Sequence, residues 1–588
     1  MYNKRIAVTW LSLAMLLSLI VIIVEIAPTV EAPTTWYVDD SNPGPGDGSL
    51  GNPFKMIQAG VDNATPGDTV YVFNGTYNED VEINITINLT GESRDNVIIN
   101  GSDSNAAIYV NNADYVNITG ITAEDSGTGI SLYCSNNSLI KNNKAIKNKY
   151  GIIINSCNNS IVKENIASNN SDYHGIHIHY TTNSTIDNNF CFNNDVGIWI
   201  QDDSYFNELI NNNCSYNDIG INLGFLSHHN NITNNNIDFN TWYGIWDVSN
   251  GGNLYINNTI QNSWVGFYLV TFTKDVQIIN SSINNSSNFD ISLSGSDTYL
   301  TSINTTFNKN KVELDQITNK LEVRWYTHIM VIDFLGNPVQ NANIKIEDNI
   351  NGSYSESYIT DMNGYVKWSL MTEYIEQKSG KTYITPHKIV AWNDTLVGYS
   401  QPIMNMSKTV TIVLGNGTLI DLEPGWNLVS LPRIHSDTYL PTILQSIEGR
   451  YDAVQWYNIT DNNDPWKHNH ISKPSNLNDL NEINHTMGLW VHITDPGGTT
   501  LVVFGDVLTS TQNISLYPGW NLAGYPSTTD KVRISALNNV LFDTEVDAIW
   551  TYNATTQKWK EITASDNFEV GRGYWIHSKV TKTWIVPL

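Results

Sequence analysis

Between about residues 129 and 311, the hydrophobic and polar positions follow a repeat that starts with glycine. Each copy reads glycine, apolar, variable, apolar, as in Gly151-Ile152-Ile153-Ile154, and the copies begin every 22 to 24 residues. The repeat glycines are Gly129, Gly151, Gly175, Gly197, Gly220, Gly244 and Gly266. An alternation of period two is typical of a strand whose apolar residues face one side. The filler between the glycines is rich in asparagine and has no helical stripe of apolar residues, which favours two further short strands per coil over helices.

A single coil of this kind cannot bury its own apolar face, whereas stacked coils share one continuous core. Asparagine suits the corners between strands, because it tolerates a left-handed backbone and its amide can bond the asparagine of the next coil. The pattern therefore predicts an all-β fold that begins with a right-handed parallel β-helix over residues 33–318.

These repeats resemble those of the pectin-lyase-like superfamily of parallel β-helix proteins, in particular the NosD-type periplasmic copper-accessory family and related surface proteins of archaea. The resemblance rests on the Gly-Ile-x-Ile and Asn-Asn-Ser-x-Ile patterns. A predicted short helix at 53–61, followed by Pro-Gly-Asp-Thr-Val-Tyr-Val at 66–72, resembles the N-terminal cap of the same proteins. The resemblance implies the fold of about half the chain and leaves activity open, since the superfamily contains lyases, hydrolases, epimerases and proteins without activity.

The variable residue of each copy should face outward, and this column carries the clearest functional signal. From the first copy to the last, the residues are Ser131, Ile153, His177, Trp199, Asn222, Trp246, Tyr268 and Ser292. Neighbouring strands lie about 5 Å apart, so aromatic residues here would form an exposed ladder suited to stacking on sugar rings. We expect Trp199, Trp246, Tyr268, His177 and His179 to bind a saccharide. The alternative is that another domain or a protein partner covers the same rings.

Catalysis has weaker support in the sequence. Pectate-lyase relatives use an arginine base, but none of the repeats contains an arginine. Of the polygalacturonase motifs only an Asp-Asp pair remains, so Asp202 and Asp203, with His177, are weak catalytic candidates for a glycoside hydrolase or a polysaccharide lyase. His177 and His179 could also hold a transition metal together with one of these carboxylates, although solvent-exposed strand histidines are the simpler interpretation.

Two further features could bind metal or form a cross-link. Asp39, Asp40 and Asp47 lie in a loop rich in glycine and proline and are candidate calcium ligands, although an ordinary cluster of turns is the favoured alternative. No other cofactor is expected. Cys191 and Cys214 each precede a repeat glycine by six residues, so they should stack on neighbouring coils at a spacing that fits a disulfide. Free thiols that fill the core are the equal alternative.

The net charge limits the class of partner, and the N-terminal segment predicts export from the cytoplasm. Its 588 residues include 31 Lys+Arg and 58 Asp+Glu, a net charge of −27, which argues against nucleic acid and anionic membrane surfaces as partners. Lys4 and Arg5 precede an apolar run over residues 6–24. Residues 1–32 are therefore expected to be a cleaved signal peptide or, as the alternative, an uncleaved membrane anchor.

The rest of the chain predicts three smaller β domains. Residues 319–416 contain Gly-Asn-Pro-Val and Thr-Asp-Met-Asn-Gly-Tyr-Val and resemble the Ig-like, carboxypeptidase-regulatory-like spacer of surface proteins. Residues 417–510 and 511–588 repeat each other, both with Pro-Gly-Trp-Asn-Leu, and resemble the "GWNL" modules that end many secreted proteins. Their matched tryptophans are expected in the module cores, with a ligand site as the alternative. Candidate N-glycosylation sites outside the repeats are Asn393, Asn405, Asn416, Asn458, Asn513 and Asn553.

These observations predict an exported, surface-displayed protein whose β-helix binds carbohydrate or an envelope polymer. One alternative is a β-helix enzyme that degrades polysaccharide. A second is a structural envelope or adhesion subunit without ligand chemistry, which could assemble as a homo-oligomer. The sequence leaves the sugar open.

Overall fold

The computed structural model describes residues 32–102, 105–170, 172–270, 275–347 and 355–587. The protein is almost entirely β-structure, with a parallel β-helix followed by antiparallel sheets, as predicted. The predicted signal or anchor segment, with its apolar run at residues 6–24, lies outside the described residues. In the part of the chain that the structure describes, no helix is long and apolar enough to cross a membrane.

The chain divides into two units. Unit 1 comprises Met1–Thr273, Ser281–Ser292 and Phe307–Val312, and unit 2 comprises Lys274–Asn280, Leu293–Thr306 and Glu313–Leu588. Unit 1 contains the coils with the repeat glycines. A short helix, Ile57–Asn63, precedes all of these coils and buries Ile57 and Val61, although it begins later than the predicted residue 53.

Each complete coil contributes one strand to each of three parallel sheets. We call the sheet whose strands carry the repeat glycines the glycine sheet. It contains Val81–Ile83, Ala106–Asn111, Thr128–Tyr133, Tyr150–Asn155, His174–His179, Val196–Gln201, Ile219–Leu223, Tyr243–Asp247 and Val265–Val270, then Phe289–Ser294 and Val312–Leu314, each divided between the units. The second sheet of unit 1 contains Thr35–Val38, Thr69–Val72, Asn88–Gly91, Asn117–Thr119, Leu139–Lys141, Ile161–Lys163, Thr185–Asp187, Glu208–Ile210, Asn231–Thr233 and Leu254–Ile256. The third contains Gly75–Asn78, Val97–Asn100, Thr122–Glu124, Lys144–Ile146, Ile166–Ser168, Phe190–Phe192, Asn213–Ser215, Asn236–Asp238, Thr259–Gln261 and Ser282–Asn284.

The predicted alternation places the aliphatic residues of the repeats in the core. In the glycine sheet, Ile152 pairs with Ile176 and Ile176 with Ile198 on successive coils. All three side chains are fully buried. Burial of each such side chain stabilises the fold by about 1.5–3 kcal/mol relative to its exposure. The continuous core predicted from the repeat is therefore confirmed.

The repeat glycines are needed for close packing and not for an unusual backbone. None of the seven has a positive φ. A Cβ atom added at Gly197 would lie 2.6 Å from the carbonyl oxygen of Gly220 and 2.9 Å from Asn217 Nδ2. At Gly151 the added atom would lie 2.3 Å from the carbonyl oxygen of Gly175. Glycine therefore lets neighbouring coils approach at this position.

Replacing Gly197 with alanine should destabilise the β-helix by about 2 kcal/mol, because the added methyl group displaces the backbone of the next coil. A shift of the urea midpoint in far-ultraviolet circular dichroism measures the effect. Gly51→Ala is the matched control, since a Cβ at Gly51 meets no atom within 4 Å. An equal shift in both variants would contradict the packing explanation.

Asparagine pairs turn the corners, and the two residues of a pair have different roles. The first adopts the left-handed backbone, as Asn188 and Asn211 do with φ of 54° and 57°. The second is buried: Asn189 Oδ1 accepts hydrogen bonds from the backbone N–H and Nδ2 of Asn165, while Asn189 Nδ2 donates to the carbonyl of Val162 at 2.9 Å. Such ladders join Asn143, Asn165, Asn189, Asn212, Asn235 and Asn258, and at the next corner Asn148, Asn170, Asn194, Asn217 and Asn240. The predicted contact between asparagines of successive coils is confirmed.

Unit 2 begins with parallel strands and continues with antiparallel ones. Val276–Ile279 pairs in parallel with Tyr299–Ile303, which pairs in parallel with Lys320–Ile332. Lys320–Ile332 also pairs antiparallel with Tyr365–Gln377 and parallel with Lys408–Val413. One long strand thus belongs both to the parallel sheet and to the domain that follows it. The domain bounds given by the sequence stay predictions.

A second sheet of unit 2 combines strands from the predicted spacer and from the first C-terminal module. Its strands are Ser355–Ile359, Asn343–Glu347, Lys388–Asn393, Leu396–Ser400, Gly415–Leu422 and Thr499–Phe504. The smaller elements of unit 2 are the strands Gly380–Tyr383, Gln512–Leu516, Lys531–Val532, Asn567–Phe568 and Lys582–Val586, and the short helices Leu440–Ile443, Gln445–Ile447, Ser475–Leu477 and Arg533–Leu537.

The two C-terminal modules contain the same four-stranded antiparallel sheet. Its strands are Gly425–Ser430, Gly488–Ile493, Tyr451–Tyr457 and Trp466–His470 in the first module, and Gly519–Ala523, Tyr574–Ser578, Val546–Asn553 and Lys558–Glu561 in the second. The expectation that the matched tryptophans form the cores is wrong. Trp490 lies between the buried Leu489 and Val491, so strand alternation directs its side chain to the opposite face of the sheet. The cores contain mostly aliphatic residues, with Trp584 as a buried tryptophan of the second.

Candidate ligand-binding site

The structure aligns the predicted outward column on successive strands of the glycine sheet. His177 pairs with Trp199, Trp199 with Asn222, Asn222 with Trp246, and Trp246 with Tyr268. The order read from the sequence is therefore the spatial order. The side chains are half-buried, or buried in the case of Asn222, and are not freely exposed as the sequence led us to expect.

Ring stacking along the column explains this burial. The His177 and Trp199 rings stack with centroids 5.0 Å apart and planes 14° apart, and His174 meets Trp199 edge to face at 4.3 Å. Tyr150 and Tyr173 stack beside them at 4.5 Å. We call these five residues the first aromatic cluster. Tyr173 is its most exposed ring, at 43%.

A second aromatic cluster lies on later coils of the same sheet and contains Trp242, Tyr243, Trp246, Trp264 and Tyr268. Tyr243 stacks on Tyr268 with centroids 4.7 Å apart, and Trp246 lies 5.3 Å from Tyr243. Trp242 and Trp264 meet edge to face at 5.9 Å and are 51% and 40% exposed. These two indoles offer more accessible surface than the predicted Trp199 and Trp246.

Two carboxylates occupy the coils between the clusters. Asp195 and Asp218 precede their repeat glycines by two residues, as Tyr173, Trp242 and Trp264 do on their coils. Burial raises the pKa of Asp195, and the negative charges of Asp218 and Asp172 raise it further. This column was not predicted, because the repeat pattern was followed only through the residues after each glycine. Reading two positions before each glycine would have found it.

Two histidines of the first aromatic cluster, His174 and His177, are held neutral by burial. Burial lowers the pKa of His174 to about 4 and that of His177 to about 3, with the neighbouring histidines adding to the shift at His177. His179 lies closer to solvent and its Nε2 is 2.8 Å from Asp202 Oδ2. A neutral His177 is a poor proton donor near pH 7.

The weak catalytic candidates are divided between different contacts. Asp202 pairs with His179 instead of His177, and Asp203 is exposed in the same turn, where both aspartates have a left-handed backbone. Their catalytic role stays a prediction. The indole nitrogens of Trp199 and Trp246 and Asn222 Oδ1 are buried without a hydrogen-bond partner among the described residues. These atoms form a polar line within the aromatic column.

The three candidate calcium ligands are engaged in separate local contacts. Asp39 Oδ1 accepts hydrogen bonds from Ser41, Asp47 Oδ1 accepts one from the backbone of Ser49, and Asp40 Oδ2 accepts one from the backbone of Thr76. Among the described residues, no group of three or more His, Cys, Asp or Glu side chains is placed to hold a metal ion. Calcium binding stays a prediction.

Cys191 and Cys214 are paired in register on neighbouring coils, as expected, and both are fully buried free thiols. Burial raises the pKa of Cys214 well above its ordinary value, with the hydrogen bond to Cys191 adding to the shift. The structure thus has them as core-filling thiols. Of the candidate glycosylation sites, Asn405, Asn416 and Asn513 are exposed, and Asn393, Asn458 and Asn553 are half-buried; their modification stays a prediction.

Part of the chain is similar to a known protein family. Residues 61–241 match the family described as periplasmic copper-binding protein (NosD). No curated protein matches the chain.

Several solved structures share the solenoid at low similarity. The A-module of the Azotobacter vinelandii mannuronan C-5 epimerase AlgE6 is 15% identical, with a TM-score of 0.36, over 45% of this chain and 93% of that one. Pectate lyase Pel9A is 16% identical, with a TM-score of 0.34, over 50% and 80%. PfbA, a surface adhesin of Streptococcus pneumoniae, is 13% identical, with a TM-score of 0.31, over 53% and 94%. Such similarity does not extend to activity. The three-sheet coils show that the chain contains a parallel β-helix, and residues 61–241 are similar to the family described as periplasmic copper-binding protein (NosD).

Proposed function

We propose that the chain binds a polysaccharide along the glycine sheet, at the two aromatic clusters and the carboxylates between them. The observation that carries the proposal is the order along one face: exposed Tyr173, then Asp195 and Asp218, then exposed Trp242 and Trp264 on successive coils. Aromatic faces pack against the apolar C–H faces of sugars, and carboxylates accept hydrogen bonds from sugar hydroxyls. A face that repeats every coil suits a ligand that also repeats.

The charge of the chain narrows the ligand class. A net charge of −27 disfavours strongly anionic polymers, as it disfavours nucleic acid. The ligand proposed here is therefore an uncharged or cationic polysaccharide. Asp195 and Asp218, the two carboxylates within the site, also favour a ligand without negative charge.

The proposed location is the cell envelope or the exterior, because the matching family is described as periplasmic. That description also names copper, but the residues that the structure describes do not fit a copper site. Only His179 of the three clustered histidines is paired with a carboxylate, and no group of three metal-binding side chains occurs in the described residues. No copper chemistry is assigned to the chain.

The test is binding of soluble polysaccharides to the full chain by affinity electrophoresis. Trp242→Ala/Trp264→Ala should weaken the retardation by neutral polysaccharides about tenfold, because it removes two exposed rings, each contributing about 0.5–1.5 kcal/mol. The matched control is Tyr216→Ala/Phe239→Ala. These rings stack at 5.2 Å, are 60% and 49% exposed, and lie at a corner of the β-helix outside the site.

Equal weakening in both double variants would overturn the proposal, as would the absence of retardation by every polysaccharide tested. Release of shortened polysaccharide fragments by the wild-type chain, but not by Asp195→Asn, would indicate that the site hydrolyses its ligand. This result would support the enzyme alternative over the binding protein.

A further inference from the structure

The two C-terminal modules are joined by reciprocal contacts. Val429 of the first forms a β-bridge with Arg572 of the second, and Ala523 of the second forms one with Met487 of the first. These residues occupy equivalent positions in the repeat. Val429 and Ala523 directly follow Gly-Trp-Asn-Leu in their strands, and Met487 and Arg572 lie just before the strands that carry Trp490 and Trp575. The pair is therefore arranged like a two-fold dimer within one chain.

Each module repeats the same group of four side chains on the outer face of its sheet. In the first module, His492 Nδ1 lies 2.7 Å from Asp452 Oδ1, and the His492 ring lies 4.8 Å from Trp426, which meets Trp490 at 6.2 Å.

In the second module, His577 Nδ1 lies 2.6 Å from Asp547 Oδ1. The His577 ring lies 5.0 Å from Trp520, which meets Trp575 at 6.4 Å. Strand alternation places all four members of each group on the outer face. The duplication therefore preserves a surface feature together with the fold.

Aromatic rings from both modules meet over this face. Trp490 of the first module contacts Tyr552 and Trp559 of the second at 5.0 and 5.5 Å. Trp466 of the first contacts Trp575 of the second at 5.9 Å. The ring planes of these three pairs are 68°, 81° and 62° apart, so the rings do not form a flat stack.

Two cavities that share Trp559 and Trp575 in their linings remain among these rings. One, of about 380 Å³, is lined by Trp520, Trp550, Trp559 and Trp575. The other, of about 450 Å³, is lined by Trp426, Gln455, Trp466, Trp490 and Tyr552 together with the shared Trp559 and Trp575. We call the two cavities the tryptophan groove. Its lining contains no charged side chain.

We propose that the tryptophan groove is a second saccharide-binding site, specific for an uncharged sugar chain. An uncharged lining offers nothing to balance the charge of an anionic polymer, whereas indole faces suit the C–H surfaces of neutral sugars. The Gln455 amide can donate and accept hydrogen bonds, and the buried Trp575 Nε1 has no hydrogen-bond partner among the described residues. These groups match hydroxyls at the edge of a sugar ring.

A role limited to holding the modules together does not explain the groove. Interfaces that serve only packing fill their interior to the density of a protein core. Here Trp466, Trp520 and Trp559 stay 41%, 40% and 51% exposed, and space for several sugar atoms remains between them. Aromatic side chains left accessible around a cavity are typical of ligand sites.

The His–Asp pairs orient groups beside both cavities. In each pair the carboxylate contacts Nδ1 of the imidazole, so Nε2 is the ring nitrogen left to form a hydrogen bond with a hydroxyl. His492 lies against Trp426 of one cavity and His577 against Trp520 of the other. The repeat therefore provides matching hydrogen-bonding groups for successive parts of one sugar chain.

The experiment uses the full chain carrying Trp242→Ala/Trp264→Ala, which removes the site proposed on the β-helix and leaves the groove intact. Affinity electrophoresis in galactomannan and in mixed-linkage β-glucan should still retard this protein, while alginate should not. Adding Trp466→Ala/Trp559→Ala should weaken the retardation at least tenfold. Adding Trp368→Ala instead, an indole 60% exposed elsewhere in unit 2, should leave it unchanged.

Trp559→Phe tests whether loss of folding explains the result, since it keeps an aromatic ring and should retain most of the affinity. The proposal is overturned if neither neutral polysaccharide retards the starting protein, or if the groove variant is retarded as strongly as that protein. It is also overturned if the groove variant differs in oligomeric state by light scattering, which would assign the surface to self-association. Failure of the β-helix site alone would leave the groove result intact, so the two proposals are judged separately.

Discussion

Replacing Asn212 with leucine is expected to destabilise the β-helix by about 3–5 kcal/mol. Asn212 Oδ1 accepts hydrogen bonds from the backbone N–H and Nδ2 of Asn189, both at 3.0 Å, and Asn212 Nδ2 donates to the carbonyl of Ile186 at 2.8 Å and to Asn235 Oδ1 at 3.0 Å. Leucine fills a similar volume but leaves these buried groups unpaired, at about 1–3 kcal/mol each. Urea unfolding followed by circular dichroism measures the change in midpoint and slope.

Asn231→Leu is the control for this prediction. Asn231 begins a strand of the second sheet and its side chain is exposed, so the change should stay within about 0.5 kcal/mol. A comparable loss of stability in both variants would mean that the buried hydrogen bonds of Asn212 contribute no more than an exposed asparagine does, which would contradict the ladder explanation.

Local periodicity was enough to predict the coils, because each strand is short and its alternation is visible within four residues. The outward order His177, Trp199, Asn222, Trp246 followed directly from the repeat length. Periodicity says which side a residue faces, however, and not how rings on that side pack. Because His177 stacks on Trp199, this part of the predicted outward column is half-buried. The accessible rings are Trp242 and Trp264, which precede their repeat glycines by two residues.

The C-terminal modules illustrate a second limit of the sequence. Their duplication was visible, yet nothing in one copy reveals that it faces the other. The tryptophans looked like core residues because small modules need large buried side chains. Trp490 alternates with Leu489 and Val491 along one strand, and this alternation could have predicted that its side chain lies on the outer face. The groove itself depends on the contact between the copies, which sequence alone did not supply.

Glu347→Gln should destabilise unit 2 by about 3–5 kcal/mol at neutral pH, because it removes one partner from a buried charge cluster. Glu347 Oε2 lies 3.5 Å from Lys388 Nζ and accepts a hydrogen bond from Thr499 at 2.8 Å, and Oε1 accepts one from the backbone of Thr500 at 3.1 Å. Burial raises the pKa of Glu347, but the charges of Lys388 and Lys345 outweigh it, so the pKa is lowered. These residues are far apart in the sequence, and no motif predicted their meeting.

The loss should shrink as the pH rises, which distinguishes a charge effect from a packing effect. Burial lowers the pKa of Lys388 to about 8 against the opposing effect of Glu347. Between that value and the ordinary lysine pKa of about 10.4, the unfolded chain binds more protons, so this group adds stability as pH increases. Without Glu347 the folded pKa falls further, and the gain begins at lower pH. The variant should therefore recover part of its deficit as the pH rises toward about 8, and above this wild-type pKa of Lys388 both chains should gain stability alike, as measured by urea midpoints.

Glu569→Gln is the matched control, since Glu569 pairs with Arg572 and both side chains are 39% exposed. An exposed pair of this kind contributes about 0–1 kcal/mol, so its loss should be small. If Glu347→Gln costs no more than this control, or if its cost is the same at every pH, the cluster is held by packing and hydrogen bonds alone. A large cost that declines with pH would identify Glu347 as the charge that keeps Lys388 protonated inside the protein.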